Sequence, residues 1–316
     1  MIRTVCGDVR PENVGATLCH EHLLMTGGWP VMNTPDYRLD RVDYAINEVT
    51  RARKSGLASV VEMTPNGFGR SPDGLVNISE ATGLNIIAAT GLHKVSYYAD
   101  NHWVHHYSVE EITSLLVSEV NEGMDINNLE GPLIRRSTAR AGVVKIATSY
   151  HSFGRSIRRF LEAVASTHLS TGVPIATHND KGTMGHELLD ALVEHGVKED
   201  AVLLSHIDHN PDPVYLAELA SRGAYLVFDK PGRIKYAPDS LAVELVTQLV
   251  GAGHGHRIVF GSDLARRSYW PDWGGGPGLT YLFDRFFPRL QQEGLGSFIN
   301  QALVSNPAQA LSFHQS

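Results

Sequence analysis

Eight short apolar runs, each ending in a polar or ionisable residue and followed by a longer segment of helical periodicity, constrain this 316-residue chain more than any other feature. The runs span 16–20, 58–62, 85–89, 142–147, 173–178, 201–206, 224–229 and 257–263, with candidate helices between them near 40–54, 74–82, 108–122, 153–170, 183–196, 212–221 and 237–252. Each helical crossover returns the chain to start the next strand in the same direction, so the alternation calls for a parallel sheet. Eight such units predict closure into a (β/α)8 TIM barrel. An open doubly wound sheet is the alternative, but no GxGxxG follows the first run and no P-loop occurs anywhere. No repeat or linker divides the chain, so 1–316 reads as a single domain. Within it, 1–13 is expected as a lead-in across the barrel floor, and about 279–316 as extra C-terminal helices after the Gly/Pro-rich loop 272–278. The loops after the third and eighth runs are expected to be the longest and to cover the mouth.

With 42% hydrophobic and 19% charged residues, the chain can bury a large core. Its formal charge of −7 argues against a nucleic-acid partner, which calls for a basic face, and leaves small molecules as the better class. Cys6 and Cys19 form neither a disulfide framework nor a CxxC pair. The first residues hold no apolar export segment, and no apolar stretch is long enough to span a bilayer. No membrane partner and a cytoplasmic setting are therefore expected.

In a TIM barrel, ionisable residues at the C-terminal strand ends converge on one site. Here His20 ends the first run and His22 follows it, Lys145 lies in the fourth, and His178, His206 and Asp263 end the fifth, sixth and eighth. An H-x-H pair on an extended chain aims both imidazoles to one side, which suits chelation. Imidazole with carboxylate, and no thiolate at any of these positions, points to zinc or its first-row neighbours manganese, cobalt and nickel. Lys145 stands between Val143, Val144, Ile146 and Ala147, where burial lowers the amine's pKa. A neutral amine can add CO2, and the resulting carbamate can bridge two metal ions.

The runs CHEHL at 19–23, VVKIATS at 143–149, ATHND at 176–180, SHIDHNPD at 205–212 and FGSD at 260–263 together resemble the phosphotriesterase family of the amidohydrolase superfamily, in order and spacing, over about 15–310. The resemblance implies two divalent metal ions. His20, His22 and Asp263 would hold the more buried one, His178 and His206 the more exposed one, with carbamylated Lys145 and a hydroxide bridging them. Asp263 would also take the proton of the attacking hydroxide. A homodimer is compatible with the same resemblance. Glu62, at the end of the second run, is a candidate to hydrogen-bond a ligand imidazole. His93 is a candidate pocket residue, His209 a neighbour of the ligands, and His102, His105, His106, His151, His195, His254 and His256 read as solvated.

The family includes phosphotriesterases, acyl-homoserine lactonases and lactonases acting on phosphorylated sugar lactones, so the loops must decide. Loops 228–240 and 262–278 bring Lys230, Arg233, Lys235, Arg266, Arg267 and Tyr269 toward the mouth of an acidic protein, which suits an anionic substrate such as a phosphate monoester. The pattern resembles the phosphorylated furanose lactonase branch and implies that Lys235, Arg266 and Tyr269 hold the phosphate. A triester pocket needs apolar walls, and a long acyl chain needs an apolar channel. A non-catalytic metal-binding protein is the remaining reading, and the presence of Asp263, the proton acceptor, speaks against it.

Overall fold

A strand in a closed parallel barrel is buried on both faces, and the two faces of this sheet form two separate apolar clusters in the computed structural model, which describes residues 1–313. A hairpin of β1 (Ile2–Thr4) and β2 (Gly7–Val9) precedes the barrel strands β3 (Thr17–Glu21), β4 (Ser59–Glu62), β5 (Asn85–Gly91), β6 (Val143–Thr148), β7 (Ile175–Asn179), β8 (Val202–Ser205), β9 (Tyr225–Phe228) and β10 (Ile258–Phe260). All neighbouring barrel strands pair in parallel, in sequence order from β3 to β10. The inner cluster takes Cys19, Val61, Ile87, Ala89, Val143, Ala176, Leu203, Val227 and Val259. Alternate residues such as Val60, Ile86, Val144, Ile175, Leu204 and Phe260 face outward and pack on the helices. The expected TIM barrel is thus present, and the near-continuous apolar runs are the consequence of two covered faces.

The helical layer comprises α1 (Gly28–Asn33), α2 (Val42–Lys54), α3 (Pro72–Thr82), α4 (Val109–Asn121), α5 (Arg155–Thr171), α6 (Gly185–Glu194), α7 (Pro213–Arg222) and α8 (Asp239–Gly251). Their ends obey local chemistry. Ser108 and Glu111 form a reciprocal capping box on α4, and Asp212 caps α7 ahead of Pro213. After β10 the chain adds α9 (Phe287–Gln292), α10 (Gly296–Asn300) and α11 (Asn306–Ala310), with π-helical turns at Leu282–Phe286 and Gln301–Ser305. Ile2, Val14, Ala310 and Leu311 join the inner cluster, and Met1 and Phe313 exchange backbone hydrogen bonds of 2.9 and 3.0 Å. The two ends of the described chain therefore close the barrel floor together. No helix among the described residues is long and apolar enough to cross a membrane.

Three long connections overlie the mouth. Those after β5 (92–108) and β10 (261–281) were expected, but the connection after β3 (22–41), which carries α1, is longer than the one after β5. Its mixed composition gave no periodic signal to mark it. The barrel closes where the amides of Ser262 and Asp263 donate to the His20 carbonyl at 3.2 and 3.0 Å. Gly261 makes this approach feasible, since a Cβ there would stand 2.8 Å from His20 Cβ and 2.9 Å from its backbone N and O. Gly261→Ala is expected to cost about 1–3 kcal/mol through overpacking against backbone, read as a lowered Tm. A variant as stable as wild type would show that the seam tolerates more separation than this contact implies.

Candidate metal centre and substrate cavity

The side chains expected at the strand ends line one cavity of about 250 Å³, including His20, His22, His93, Lys145, His178, His206 and Asp263. Strict alternation places only some of them there. Lys145 and His178 share the inward parity of Val143 and Ala176. Cys19 belongs to the inner cluster while His20 lines the cavity, so two consecutive residues face inward, which a regular strand forbids. A register shift between Leu18 and Glu21 absorbs the extra residue. His206 and Asp263 lie just past their strands with left-handed φ values of 59° and 46°, which turn their side chains into the mouth. Such backbone costs roughly 1–3 kcal/mol at each non-glycine position and marks sites where geometry is imposed by the surroundings.

The donor atoms are spaced as ligands of a cation. Asp263 Oδ1 lies 3.5 Å from His20 Nε2 and 3.4 Å from His22 Nε2, and His178 Nδ1 lies 2.9 Å from His206 Nε2. Ligand bonds of about 2.0–2.2 Å place neighbouring donors at roughly these separations. His20 Nε2 is buried without a hydrogen-bond partner among the described residues, an arrangement costly for a polar atom and apt for a chelating nitrogen. Burial holds the His20 imidazole down at about 4 against the pull of Asp263 and Asp229, and burial followed by His93 holds His178 well below the usual range. Both rings are therefore neutral near pH 7, the form that binds metal.

Tautomers are fixed from behind. Asp229 accepts from His20 Nδ1 and His206 Nδ1, each at 2.8 Å and each on a different oxygen, and from the His206 amide at 3.0 Å. With both Nδ1 atoms so engaged, Nε2 is left to face the cavity. This carboxylate, together with His20 and His206, forms a close carboxylate–imidazole group, but its oxygens are spent on ring N–H donors rather than directed at a common ligand point. Burial raises the Asp229 pKa, yet His206 and His20 outweigh it and hold the group ionised; the same pairing shifts His206 upward. The Thr64 hydroxyl donates to Glu62 at 2.6 Å and so accepts from His22 Nδ1 at 2.8 Å. Glu62 thus supports an imidazole through Thr64, not directly.

Lys145 is fully buried, and its Nζ donates to the Met63 carbonyl at 2.8 Å. Burial lowers its pKa to about 8 despite the opposing charges of Asp263, Glu62 and Asp229. On the other flank, the buried Arg233 guanidinium pairs with Asp263 Oδ2 and donates to the Asp229 carbonyl at 2.6 Å. Asp263 therefore offers Oδ1 to the imidazoles while Oδ2 is held. Burial pushes this carboxyl up, but Arg233 and His20 outweigh burial and keep it well below its ordinary value.

The loop cations separate into two groups. Arg266 and Tyr269 line the cavity. Arg266 reaches Tyr37 Oη at 3.0 Å, and the Tyr269 hydroxyl is buried without a partner among the described residues. Lys235 is exposed at the rim, its Nζ 5.0 Å from the Tyr269 ring centre. Lys230 and Arg267 do not meet the expectation that they approach the mouth. The Lys230 ammonium donates to the Asp208 carbonyl at 2.5 Å beneath the loop, and Arg267 turns outward to Asp40 and the Trp273 ring. A buried carbonyl and an exposed carboxylate outcompete the cavity for these two side chains. His93 lies in the lining, its ring 4.5 Å from that of His178, and His209 lines the cavity against His206 and Tyr236. His102 is not solvated but stacks between Tyr98 and Trp103. Tyr37, Lys94, Tyr97 and Lys181 also belong to the wall and lie outside the quoted motifs, and Asp180 closes ATHND but has no role assigned there; Asp229, a strand-end acid, could have been found by the rule that found Asp263.

A histidine–carboxylate chelate with a buried lysine at the C-terminal mouth of a TIM barrel is the layout of a metal-dependent hydrolase. The model of the phosphotriesterase family matches residues 1–311, and the chain belongs to that family. It is 37% identical to a phospho-furanose lactonase of Mycoplasmopsis synoviae, across 99% of this chain and 92% of that protein. The crystal structure of an amidohydrolase from Mycoplasma synoviae superposes with a TM-score of 0.96 at 37% identity, covering 99% of this chain and 92% of that one. A lactonase from Listeria monocytogenes superposes with a TM-score of 0.91 at 29% identity, covering 99% of both chains.

Asp229→Ala removes the acceptor shared by His20 and His206 and is expected to weaken divalent metal binding by about 10–100-fold, measured as metal per chain after dialysis against graded chelator. Unchanged retention would mean that the rings are oriented by something other than this carboxylate.

Proposed function

We propose that the chain opens the ring of a phosphorylated furanose sugar lactone, using two divalent ions held by His20, His22, Lys145, His178, His206 and Asp263. Zinc suits the donor set best, with manganese, cobalt or nickel compatible. The observation that carries the substrate class is the buried, unpartnered Tyr269 hydroxyl beside Arg266 and Lys235, on the wall of the cavity that holds the chelate. A phenol, a guanidinium and an ammonium together suit a phosphate monoester. The printed activity of the 37% identical relative, a phospho-furanose lactonase, supports the same choice. Met25, Pro65, Phe68 and Ala265 and the rings of Tyr37, Tyr97, Tyr236 and Tyr269 supply apolar wall as well, so the preference over a triester or a long acyl chain rests on the cationic and phenolic groups at Arg266, Lys235 and Tyr269. A cytoplasmic setting fits the two free cysteines.

Bound metal would supply Lewis acidity to the lactone carbonyl and a hydroxide nucleophile at neutral pH. The remaining tasks fall to side chains. Lys145, as the free amine, adds to CO2 with formation of an N–C bond and loss of one proton, giving an anionic ligand with two oxygens. Arg266, Tyr269 and Lys235 hold the phosphate and so fix where the carbonyl carbon sits. As oxygen adds to that carbon, Asp263 takes the proton released. The bond between the carbonyl carbon and the ring oxygen then breaks, and the proton is delivered to the departing alkoxide, leaving a phosphorylated hydroxy acid.

The amine that adds CO2 dominates above about pH 8 and falls roughly tenfold for each unit below it. At a fixed concentration of dissolved CO2, reactivation of metal-stripped protein by divalent metal should therefore be faster at pH 9 than at pH 6. Lys145→Met should not respond to bicarbonate at either pH. A bicarbonate-independent wild type would remove the carbamate from the scheme.

Lys235→Ala and Arg266→Ala are each expected to raise KM for a furanonolactone phosphate by about tenfold or more, with little change on the unphosphorylated lactone. Acid release should be followed for both lactones, for paraoxon and for an acyl-homoserine lactone. Equal turnover of phosphorylated and unphosphorylated rings by wild type and variants would refute the phosphate assignment, and faster triester or acyl-homoserine lactone turnover would name a different substrate class.

A further inference from the structure

We infer that Lys94 and Asp180 form a hydroxyl-reading pair that makes the enzyme select a hydroxylated ring over an equally phosphorylated ring without hydroxyls. This inference rests on the lactonase reading above. Lys94 follows β5, the third barrel strand, and Asp180 follows β7, the fifth. Lys235 follows the seventh strand, and Arg266 and Tyr269 follow the eighth. Around an eight-stranded barrel the third strand faces the seventh, so the pair stands across the cavity from the phosphate-holding group. Both residues line the cavity, and Lys94 Nζ donates to Asp180 Oδ2 at 2.9 Å with side chains only 15% and 25% exposed. The Tyr97 ring, 5.3 Å from Nζ, backs the ammonium.

The chemistry of a pair differs from that of a lone cation. Opposite charges at this separation cancel at a distance, so the pair itself adds little attraction for a second anion. Close by, it still presents donors on Nζ and acceptor capacity on the carboxylate, and no second hydrogen bond reaches either terminal group among the described residues. A hydroxyl donates and accepts at once, so adjacent ring hydroxyls can engage the ammonium through oxygen and the carboxylate through hydrogen. A ring lacking them leaves half-buried charged groups without their replacement for water, which is how hydrogen-bonding sites reject deoxy analogues.

The test is kcat/KM of the metal-loaded full chain for a furanonolactone 5-phosphate and for its 2,3-dideoxy counterpart. Wild type is expected to prefer the hydroxylated ring by at least about tenfold. Lys94→Met and Asp180→Asn should each cut that preference to within about threefold, chiefly by raising KM for the hydroxylated ring. The preference is a ratio within one preparation, so loss of folded enzyme does not move it. Equal slowing of both substrates would make the pair an interloop strut and overturn the inference while leaving the lactonase reading intact. A wild type without preference would also overturn it. Failure of wild type to hydrolyse either ring would overturn both.

Discussion

The centre depends on one buried carboxylate. Asp229 has no solvent exposure, and removing such a charge from water costs several kcal/mol. Ring donors from His20 and His206, the His206 amide and a 3.3 Å contact from Arg233 replace that water. The arrangement joins the first, sixth and seventh barrel strands through a single side chain, so the positions of imidazoles distant in sequence are set by one hydrogen-bonded hub. Arg233 extends the hub by taking Asp263 Oδ2 and the Asp229 carbonyl, so the eighth strand end is referred to the same point. The candidate ligands are therefore prearranged by protein contacts, and a cation entering the proposed site would not have to order flexible side chains.

Much of this was legible as pattern. The eight runs map onto β3 to β10 with boundaries shifted by a few residues, because apolar parity on two covered faces is a long-range signal written locally. The candidate ligands were legible as strand-end residues, since barrel topology brings those ends together whatever the loops do. What escaped was everything decided by departures from regular backbone. No rule of alternation turns Cys19 and His20 to the same side, or swings His206 and Asp263 inward on left-handed φ values. Thr64 and Tyr37 escaped for another reason, since they act through contacts with residues far away in sequence.

The loop cations show the limit of composition as evidence. Six basic or phenolic residues in two loops looked like one cluster, but each side chain follows its best local partner. Lys230 finds a buried carbonyl, Arg267 a carboxylate and an indole, and Arg233 two carboxylate-bearing residues of the candidate metal centre. Arg266 and Tyr269 line the cavity, with Lys235 at the rim, while Arg233, which also lines it, is held by Asp263 and Asp229. Arg266 keeps a 3.4 Å contact with Asp36 while lining the cavity, so the unpartnered Tyr269 hydroxyl is the clearest group left for recognition.

Division of labour between strands and loops follows from rigidity. Lys145, His178 and His206 sit on or immediately past strands paired on both sides, and the first and eighth strands, which carry His20, His22 and Asp263, are tied at the seam by the Ser262 and Asp263 amides, so a displacement of one would have to move the sheet. The candidate substrate residues lie on the connections after the first, third, fifth, seventh and eighth strands, which can change length and sequence without disturbing the barrel. In the proposed reaction, binding energy gained at a distant phosphate is used to hold the carbonyl over a centre whose geometry is already fixed. One scaffold can then serve different substrates, because the expensive part, two strained left-handed positions at candidate ligands and a buried carboxylate hub, is independent of what the loops recognise.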